Sequence, residues 1–256
     1  MLATLTVIVI IGCVKDIPYT DQPIPISFDA GLSSVNTRAP IANLTSGLTG
    51  IQILRAADIA TSPDWSVVSS VATTANIAAG GSVGSLSVAQ YYNANPALNA
   101  WFMAFYPSGT MGTGKVSWTI TGQEDIIVAP SVSAGNKTIP VNPTTLAFAH
   151  KLTQLQFEVL AASATAITQW GTVSSIKVNA DTALELTLST NALASASSPV
   201  NTDLTISGTF PVTLTTSAAA VGVIMVKPKD ALNTIKVTTA NSPEQTVSIS
   251  GLTTTV

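Results

Sequence analysis

The sequence predicts an all-β protein of the sandwich type, and three observations lead to this prediction. Apolar and polar residues alternate with a period of two along many short segments, which is typical of half-buried strands. Turn-forming residues separate these segments, as at Pro107-Ser108-Gly109. No stretch has convincing helical amphipathicity, and only Val88 to Leu98 is expected to hold one or two helical turns. The main alternating segments are 51–53, 101–106, 116–120, 155–159, 176–178, 184–188, 204–206, 223–226, 235–237 and 247–249.

The composition narrows the class of protein. The chain has 256 residues, 9% of them charged, and ten Lys and Arg against thirteen Asp and Glu give a formal net charge of −3. An ordinary globular chain is about 25% charged. Because no basic stripe is present to neutralise phosphates, nucleic acid is not expected as a partner. One His and one Cys exclude most metal sites and any internal disulfide, so no cofactor is expected and an enzyme is disfavoured.

The first residues have the features of a lipoprotein signal peptide. Leu2 to Ile11 is almost purely apolar, and a helix of this length spans about 15 Å, half of a bilayer core. The segment therefore has the length of a signal-peptide core rather than of a membrane span. Gly12-Cys13 follows and resembles a lipobox, in which the Cys13 thiol is acylated and becomes the new N-terminus. We expect a signal peptide at 1–12 and a lipid anchor at Cys13; the alternative is a buried first strand with an incidental thiol.

Two proline-containing segments organise the rest of the chain. Residues 17–40 carry Pro18, Pro23, Pro25 and Pro40 around one short apolar segment. Because proline cannot donate to a ladder, this pattern predicts an extended tether with one edge strand. Val141-Asn142-Pro143 is the best candidate for a hinge. We therefore expect an N-terminal β-sandwich domain at 13–143 and a C-terminal one at 144–256.

Two glycine motifs match enzyme signatures in letters but lack their context. Gly109 to Lys115 matches most of a P-loop, yet Val116 stands where Ser or Thr would hold Mg²⁺, and a strand pattern follows. We interpret this segment as a hairpin loop. Gly80 to Gly84 matches a nucleophile elbow, which requires a following helix and a later acid and His. Its Ala- and Gly-rich surroundings indicate a loop instead.

Isolated polar residues supply no catalytic set. His150 has no companion His, Cys or carboxylate cluster, and we assign it no chemistry. Glu124 and Asp125 are adjacent, so on a strand they would face opposite sides, and a local turn or capping role is expected. Asp181-Thr182-Ala183 resembles a short O-glycosylation acceptor of some anaerobic Gram-negative bacteria, a match that three letters often give by chance.

Several segments together resemble the fimbrillin family, the lipoprotein-derived pilins of type V pili. The most specific are Gln123 to Ala129 and Phe148 to Phe157. The others are Ile26 to Phe28 with Thr37 to Ala39, Gly50 to Ile53, Phe105 to Pro107 and Val116 to Trp118. The resemblance implies two tandem transthyretin-like β-sandwich domains, of which the segment beginning at Phe148 opens the second.

The resemblance also implies an assembly mechanism. A lipidated precursor reaches the outer membrane, where a trypsin-like protease cuts after an Arg that follows the first strand; in this sequence that bond joins Arg38 to Ala39. The alternative is that Arg38 is an ordinary solvated loop residue. Loss of the first strand opens a groove that an extended strand of the next subunit fills. Val247, Ile249 and Leu252 give the C-terminal segment the pattern of such a donor strand.

The sequence therefore favours two alternative functions. The first is a non-enzymatic, pilin-like surface lipoprotein that supports adhesion, with other fimbrial subunits, the outer membrane and an adhesion receptor as partners. The alternative is a non-polymerising surface lipoprotein that binds a glycan or protein ligand, with Trp65 and Trp170 as exposed candidates and Trp101 and Trp118 in the core.

The sequences of family members usually end with an aromatic-bearing strand, whereas no aromatic residue follows Phe210 here. A truncated C-terminal domain is therefore a further alternative.

Overall fold

The structure, a computed structural model, describes residues 22–32, 41, 44, 46–228 and 231–253. In this part of the chain it contains seventeen β-strands, one α-helix and one 3-10 helix at Trp65–Val67, which confirms the all-β prediction. The elements are β1 (Phe28–Leu32), β2 (Leu48–Arg55), β3 (Thr73–Ile77), β4 (Trp101–Tyr106), β5 (Thr110–Gly112), β6 (Lys115–Thr119), β7 (Ile127–Ser133), β8 (Thr144–His150), β9 (Thr153–Val159), α1 (Ala164–Trp170), β10 (Val173–Asp181), β11 (Ala183–Thr187), β12 (Ala192–Ser195), β13 (Asn201–Thr205), β14 (Ser207–Gly208), β15 (Ala219–Val226), β16 (Ala231–Thr239) and β17 (Ser242–Thr253).

The largest sheet has six strands in the order β1-β8-β7-β4-β2-β3. Neighbouring strands run antiparallel except β1 and β8, which run parallel. Isolated bridges join Asp29 to Ser82 and Ile77 to Val83, so a connecting segment links the two outer strands, β1 and β3. The sheet therefore closes on itself around a first core, to which all six strands contribute. Its buried members include Phe28, Ile51, Ile77, Phe102, Ile127, Leu146 and Phe148.

The middle strands of this sheet are buried on both faces. Ile53 and Phe102 pack into the first core, whereas their neighbours Leu54 and Met103 pack into a second core on the opposite face. A strand that is covered on both faces carries apolar residues at successive positions rather than alternating ones. This burial explains why β4 is an almost uninterrupted run of large apolar side chains.

A four-stranded sheet in the order β12-β11-β6-β5 supplies the other side of the second core. Val116 and Trp118 of β6 and Leu184 and Leu186 of β11 are buried there. Because β6 pairs with β11, and β8 belongs to the six-stranded sheet, hydrogen-bonded sheets join the two sides of residue 143. The domain boundary at residue 143 stays a prediction.

A third core lies between two sheets that are built from the last third of the chain. One sheet has four strands in the order β13-β10-β16-β17, and the other has three in the order β14-β15-β9. Val178 of β10 and Ile224 of β15 are fully buried between them. Among the described strands, β17 is the last of the four-stranded sheet and pairs only with β16.

The α-helix lies where the sequence showed no helical signal. Helix α1 begins after Ser163, whose hydroxyl accepts a hydrogen bond from the amide of Ala166. It ends at Trp170 and is followed by the cap residue Gly171, which has a φ of +72°. The segment Val88 to Leu98 contains no helix. Part of it is extended instead, because its backbone is hydrogen-bonded to the residues that precede β1.

Candidate functional site

Strand β1 and the residues before it lie in a slot, with hydrogen bonds on both sides. On one side, Ile26 N donates to Gln90 O at 2.8 Å and Ala30 N donates to Gly81 O at 2.8 Å. On the other side, β1 pairs with β8 along its whole length. We call the space between segment 81–92 and β8 the β1 slot. Its occupant has the hydrogen bonding of an interior strand, because both backbone edges are engaged.

Asn142 fastens the entrance of the β1 slot. Its Oδ1 accepts a hydrogen bond from Ser27 N at 2.9 Å, and its Nδ2 donates to Pro25 O at 3.1 Å. Two residues later, Thr144 N donates to Ser27 O at 2.9 Å. The amide side chain thus extends the hydrogen bonding between the two segments to before the start of β8. The residue that the sequence placed in a hinge contributes directly to holding the chain before β1.

Two large apolar side chains anchor the same segment. Ile26 and Phe28 are each only 3% exposed. The ring of Phe28 lies edge-on to Phe102, with 4.9 Å between ring centroids. Burial of each such side chain contributes about 1.5–3 kcal/mol. An empty slot would therefore expose apolar core as well as unpaired backbone.

Strand β17 carries the predicted donor residues at the edge of the third core. Val247 is 50% exposed, while Ile249 is half-buried against that core. In register, Leu252 lies opposite Leu232 of β16. The strand is twelve residues long and is exposed at most positions from Pro243 to Ser248. These are properties of an extended segment that contributes little to its own core.

A network of charged side chains crosses the sheet to which β17 belongs. Glu244 of β17 lies with Oε2 2.8 Å from Lys177 Nζ and with Oε1 3.5 Å from Lys236 Nζ. Lys236 Nζ also lies 2.6 Å from Asp203 Oδ2. The hydrogen bond from Lys177 lowers the pKa of Glu244, and the hydrogen bonds from Lys236 and Asn179 lower the pKa of Asp203. The hydrogen bond to Asp203 raises the pKa of Lys236.

Three of the predicted site residues, Cys13, Arg38 and Ala39, lie outside the described residues. The chain's second arginine, Arg55, is held in β2, where its Nη2 lies 2.9 Å from Asp58 Oδ2. Its guanidinium also lies 5.4 Å from the centre of a buried phenylalanine ring. Arg55 is therefore engaged in the fold rather than presented in an open loop.

His150 is not an isolated side chain, contrary to the sequence interpretation. Its Nδ1 lies 3.0 Å from Oδ1 of Asp125, and the two side chains are only 8% and 1% exposed. The other carboxylate oxygen of Asp125 accepts a hydrogen bond from Ile41 N at 3.2 Å. The pairing of β7 with β8 brings these residues together from 25 positions apart, so no local sequence signal marked them.

Glu124 has the capping role that the sequence predicted for the pair, whereas Asp125 does not. The Oε2 atom of Glu124 accepts hydrogen bonds from the backbone amides of Thr121 at 2.7 Å and Gly122 at 3.1 Å. Burial alone would raise the pKa of Glu124, but hydrogen bonds from the hydroxyl and the amide of Thr121, with those from neighbouring amides, outweigh it and lower the pKa. Two adjacent carboxylates thus have separate structural tasks.

The tryptophans divide differently from the sequence prediction. Trp65 is 5% exposed within the second core, so its proposed place at an exposed binding site is wrong. Trp118 is also buried, as predicted, and Trp101 is partly buried against the same core. Trp170 is 37% exposed and lines an apolar groove of about 500 Å³ together with Leu160 and Val247, among others.

The glycine motifs and the candidate glycosylation site have structural roles. Gly109 to Lys115 forms the β5–β6 hairpin, in which Gly112 lies opposite Lys115, as predicted. Gly81 has a φ of +95° and packs against the carbonyl of Ala30 in the β1 slot. Thr182 is 4% exposed and its hydroxyl donates to Val200 O at 2.9 Å, so it is not accessible for glycosylation in the folded chain.

Within the described ranges, no group of three or more His, Cys, Asp or Glu side chains is arranged to hold a metal ion. The helices described in this structure also include none that is long and apolar enough to cross a membrane.

Comparisons with known proteins identify relatives of the chain. A family model described as fimbrillin-like matches residues 37–255. No curated protein matches the chain.

Among solved structures, the chain is similar to a candidate cell adhesion protein from Bacteroides uniformis, with 17% identity over 88% of this chain and 85% of that one and a TM-score of 0.57. A candidate cell adhesion protein from Bacteroides ovatus gives 16% identity, coverages of 89% and 86%, and a TM-score of 0.58. The fimbrial anchor protein Mfa2 from Porphyromonas gingivalis gives 10% identity, coverages of 89% and 83%, and a TM-score of 0.43. The two Bacteroides matches show a shared fold.

Proposed function

Because the chain belongs to the fimbrillin-like family, we propose that it is a structural, non-enzymatic subunit of cell-surface fimbriae that supports adhesion. We propose further that it assembles by donor-strand exchange, in which β1 leaves its slot and β17 of a neighbouring subunit enters. The candidate adhesion proteins with the same fold support the surface role. The other fimbrial subunits are its principal partners.

The observation that carries this proposal is the β1 slot. The strand that occupies it is hydrogen-bonded on both sides and inserts Ile26 and Phe28 into the first core. Hydrolysis of the bond between Arg38 and Ala39 would leave β1 bound only by non-covalent contacts. Once β1 dissociates, the open slot presents unpaired backbone groups on two walls and an apolar floor, which together favour binding of an extended strand.

The position of β17 gives the exchange a direction. Among the described strands, this one pairs with β16 alone, and Val247 is half exposed. In the slot of a neighbour, both edges would be paired and alternate apolar side chains would enter a core. Each fully buried apolar side chain contributes about 1.5–3 kcal/mol. Transfer of β17 therefore increases the contacts that this strand makes.

The membrane attachment and the domain division are further parts of the proposal. A lipid on Cys13 would hold the precursor at the outer membrane until maturation releases it. The chain would comprise two tandem transthyretin-like sandwich domains, the second built around the third core. The boundary between them is proposed at residue 143, as the sequence predicts.

Cleavage at Arg38 tests the proposal directly. Purified full-length protein is treated with a trypsin-like protease, the new N-terminus is sequenced, and polymers are sought as ladders on unheated gels. The expected result is an N-terminus at Ala39 followed by ladders. Arg38→Lys should retain both, because such proteases accept lysine, whereas Arg38→Ala should lose both. Normal maturation and ladder formation by Arg38→Ala would refute the cleavage step.

Lipidation at Cys13 requires a separate experiment. Cells that express the full chain are labelled with a palmitate analogue, and the Cys13→Ala variant is compared with the parent. The parent should carry the label and fractionate with the outer membrane, and the variant should do neither. Equal labelling of both proteins would exclude this anchor.

A second function, binding of a glycan or protein ligand by a non-polymerising surface protein, is supported by one observation. Trp170 is partly exposed at an apolar groove, as aromatic residues are in many carbohydrate-binding and protein-binding sites. A glycan array should then show binding that Trp170→Ala abolishes and Tyr91→Ala retains, since Tyr91 is exposed at 42% elsewhere on the molecule. Equal binding by both variants would exclude Trp170 as the contact.

A further inference from the structure

The side-chain pattern of β17 specifies the register of its pairing with β16 only weakly. Its pairing with β16 is irregular at two places, between Leu232 and Thr234 and between Val237 and Thr239. Ser and Thr alternate with Val247 and Ile249, so a slip of two residues would place similar side chains on each face. Strands whose two faces are both largely polar specify their register weakly. Another feature must fix the strand in place.

Two lysines lie directly opposite each other on the two strands next to β17, β16 and β10. Lys177 of β10 and Lys236 of β16 are register partners on adjacent strands, and like charges in this arrangement repel. Asp203 of β13 forms an ion pair with Lys236. Glu244 of β17 lies at hydrogen-bond distance from Lys177 and 3.5 Å from Lys236. Glu244 is therefore the only contribution of β17 to this charge balance among the described residues. If β17 leaves, two lysines face one carboxylate.

We propose that Glu244 is an electrostatic latch that fixes the register of β17 and retains the strand in its own sheet until a neighbour's slot is open. The latch itself is a property of the single chain, whereas its effect on assembly rests on the proposed function. Ionic strength and acidity control its release.

The physical basis of that control is the partial exposure of the pair. The side chains of Lys177 and Glu244 are both 35% exposed, so dissolved salt screens their attraction. Of the charged groups in the described part of the chain, Lys177 and Lys236 face Glu244, and Asp203 faces Lys236 from the opposite side. Since the hydrogen bond from Lys177 lowers the pKa of Glu244, the latch is closed at neutral pH and opens as pH falls through that lowered value.

Hydrogen exchange of the monomeric full chain tests the latch without any assembly. Amides of β17 are followed in Glu244→Gln, Lys177→Gln and the double variant, with Glu185→Gln on β11, which removes a partly exposed ion pair to Lys115, as the matched control. In low salt, Glu244→Gln should exchange about two- to fivefold faster than the parent, the range expected when a partly exposed pair is lost. The control should match the parent. The double variant should exchange no faster than the single ones, because they remove the same pair.

The salt dependence gives a second criterion. Between 0.05 and 0.5 M NaCl, exchange at β17 should accelerate in the parent and change little in Glu244→Gln. Equal rates in parent and Glu244→Gln, or equal salt dependence in both, would overturn the latch.

Assembly assays separate this inference from the proposed function. If Glu244→Gln exchanges faster at β17 but neither it nor the parent forms ladders after maturation, the latch stands and donor-strand exchange fails. If both form ladders at the same rate and exchange equally at β17, donor-strand exchange stands and the latch fails. Faster ladder formation by Glu244→Gln, with faster exchange at β17, supports both.

Discussion

His150 Nδ1 lies 3.0 Å from Asp125 Oδ1, and both side chains are buried where β7 and β8 pair. Only 9% of the residues are charged, so a buried pair of a carboxylate and an imidazole is an unusual feature of this chain. Breaking such a pair by removal of one partner is costly, because the other is left buried without a hydrogen bond. The pair also holds the amide of Ile41, and so connects the sheet to the chain beyond Arg38.

Asp125→Ala should lower the free energy of unfolding by about 2–4 kcal/mol, because it leaves both His150 and the Ile41 amide without their acceptor. Urea denaturation at neutral pH measures the change. Glu158→Ala, an exposed carboxylate on β9, serves as the control and should change stability by less than about 0.5 kcal/mol. A loss for Asp125→Ala no larger than that of the control would contradict a stabilising role for the pair.

Phe28→Ala should destabilise the precursor by about 3–5 kcal/mol, since it removes a buried ring that packs against Phe102 and leaves a cavity in the first core. The same change should accelerate hydrogen exchange of β1 more than that of β4. Val88→Ala is the control, because Val88 is 58% exposed. If Phe28→Ala unfolds at the same urea concentration as Val88→Ala, β1 is not anchored as described.

Gly81→Ala should destabilise the β1 slot by about 1–3 kcal/mol. Gly81 has a φ of +95°, which is unfavourable for alanine, and an added Cβ would collide with the carbonyl of Ala30. Gly31→Ala is the matched control, because a Cβ there meets no atom within 4 Å and its φ requires no glycine. Thermal unfolding of both variants measures the difference. Equal melting temperatures for the two would show that the wall of the slot adapts to the extra methyl group.

Asp203 should make stability depend on acidity. The hydrogen bonds from Lys236 and Asn179 lower the pKa of Asp203 in the folded chain. A carboxyl group with a lowered folded pKa stabilises the fold above its ordinary pKa of about 4, and this contribution is lost as pH falls through the folded value. Melting temperatures should therefore drop more steeply below pH 4 in the parent than in Asp203→Asn. Parallel curves for the two proteins would contradict this assignment.

The sequence predicted strand content well where one face of a strand is buried, as in β6, where Val116 and Trp118 alternate with exposed or half-buried residues. It also identified the hairpin at Gly112, because turn chemistry is local. Helix α1 was missed because seven residues span only two turns and leave too short an apolar pattern to detect. The sequence around Trp65 resembles a loop, but a short 3-10 helix directs its side chain into the second core.

The remaining features depend on contacts between distant parts of the chain. Neighbours in sequence gave no sign that Asp125 would meet His150, or that Glu244 would meet Lys177 across an intervening strand. Alternation predicted that β17 is a strand but not which side chains fix its position. The β1 slot likewise could not be predicted, since its two walls come from segment 81–92 and β8, which only the closed sheet brings together.

The hydrogen bond between the Ile41 amide and Asp125 limits the reach of the N-terminus that cleavage after Arg38 would create. A terminus at Ala39 lies two residues before that anchored amide, which is a reach of about 7 Å at most for extended backbone. The stretch from Ile24 to Leu32 needs about 30 Å of extended chain to occupy the slot. If the bond after Arg38 is cut and β1 leaves, as proposed, the new N-terminus is therefore too short to refill the β1 slot.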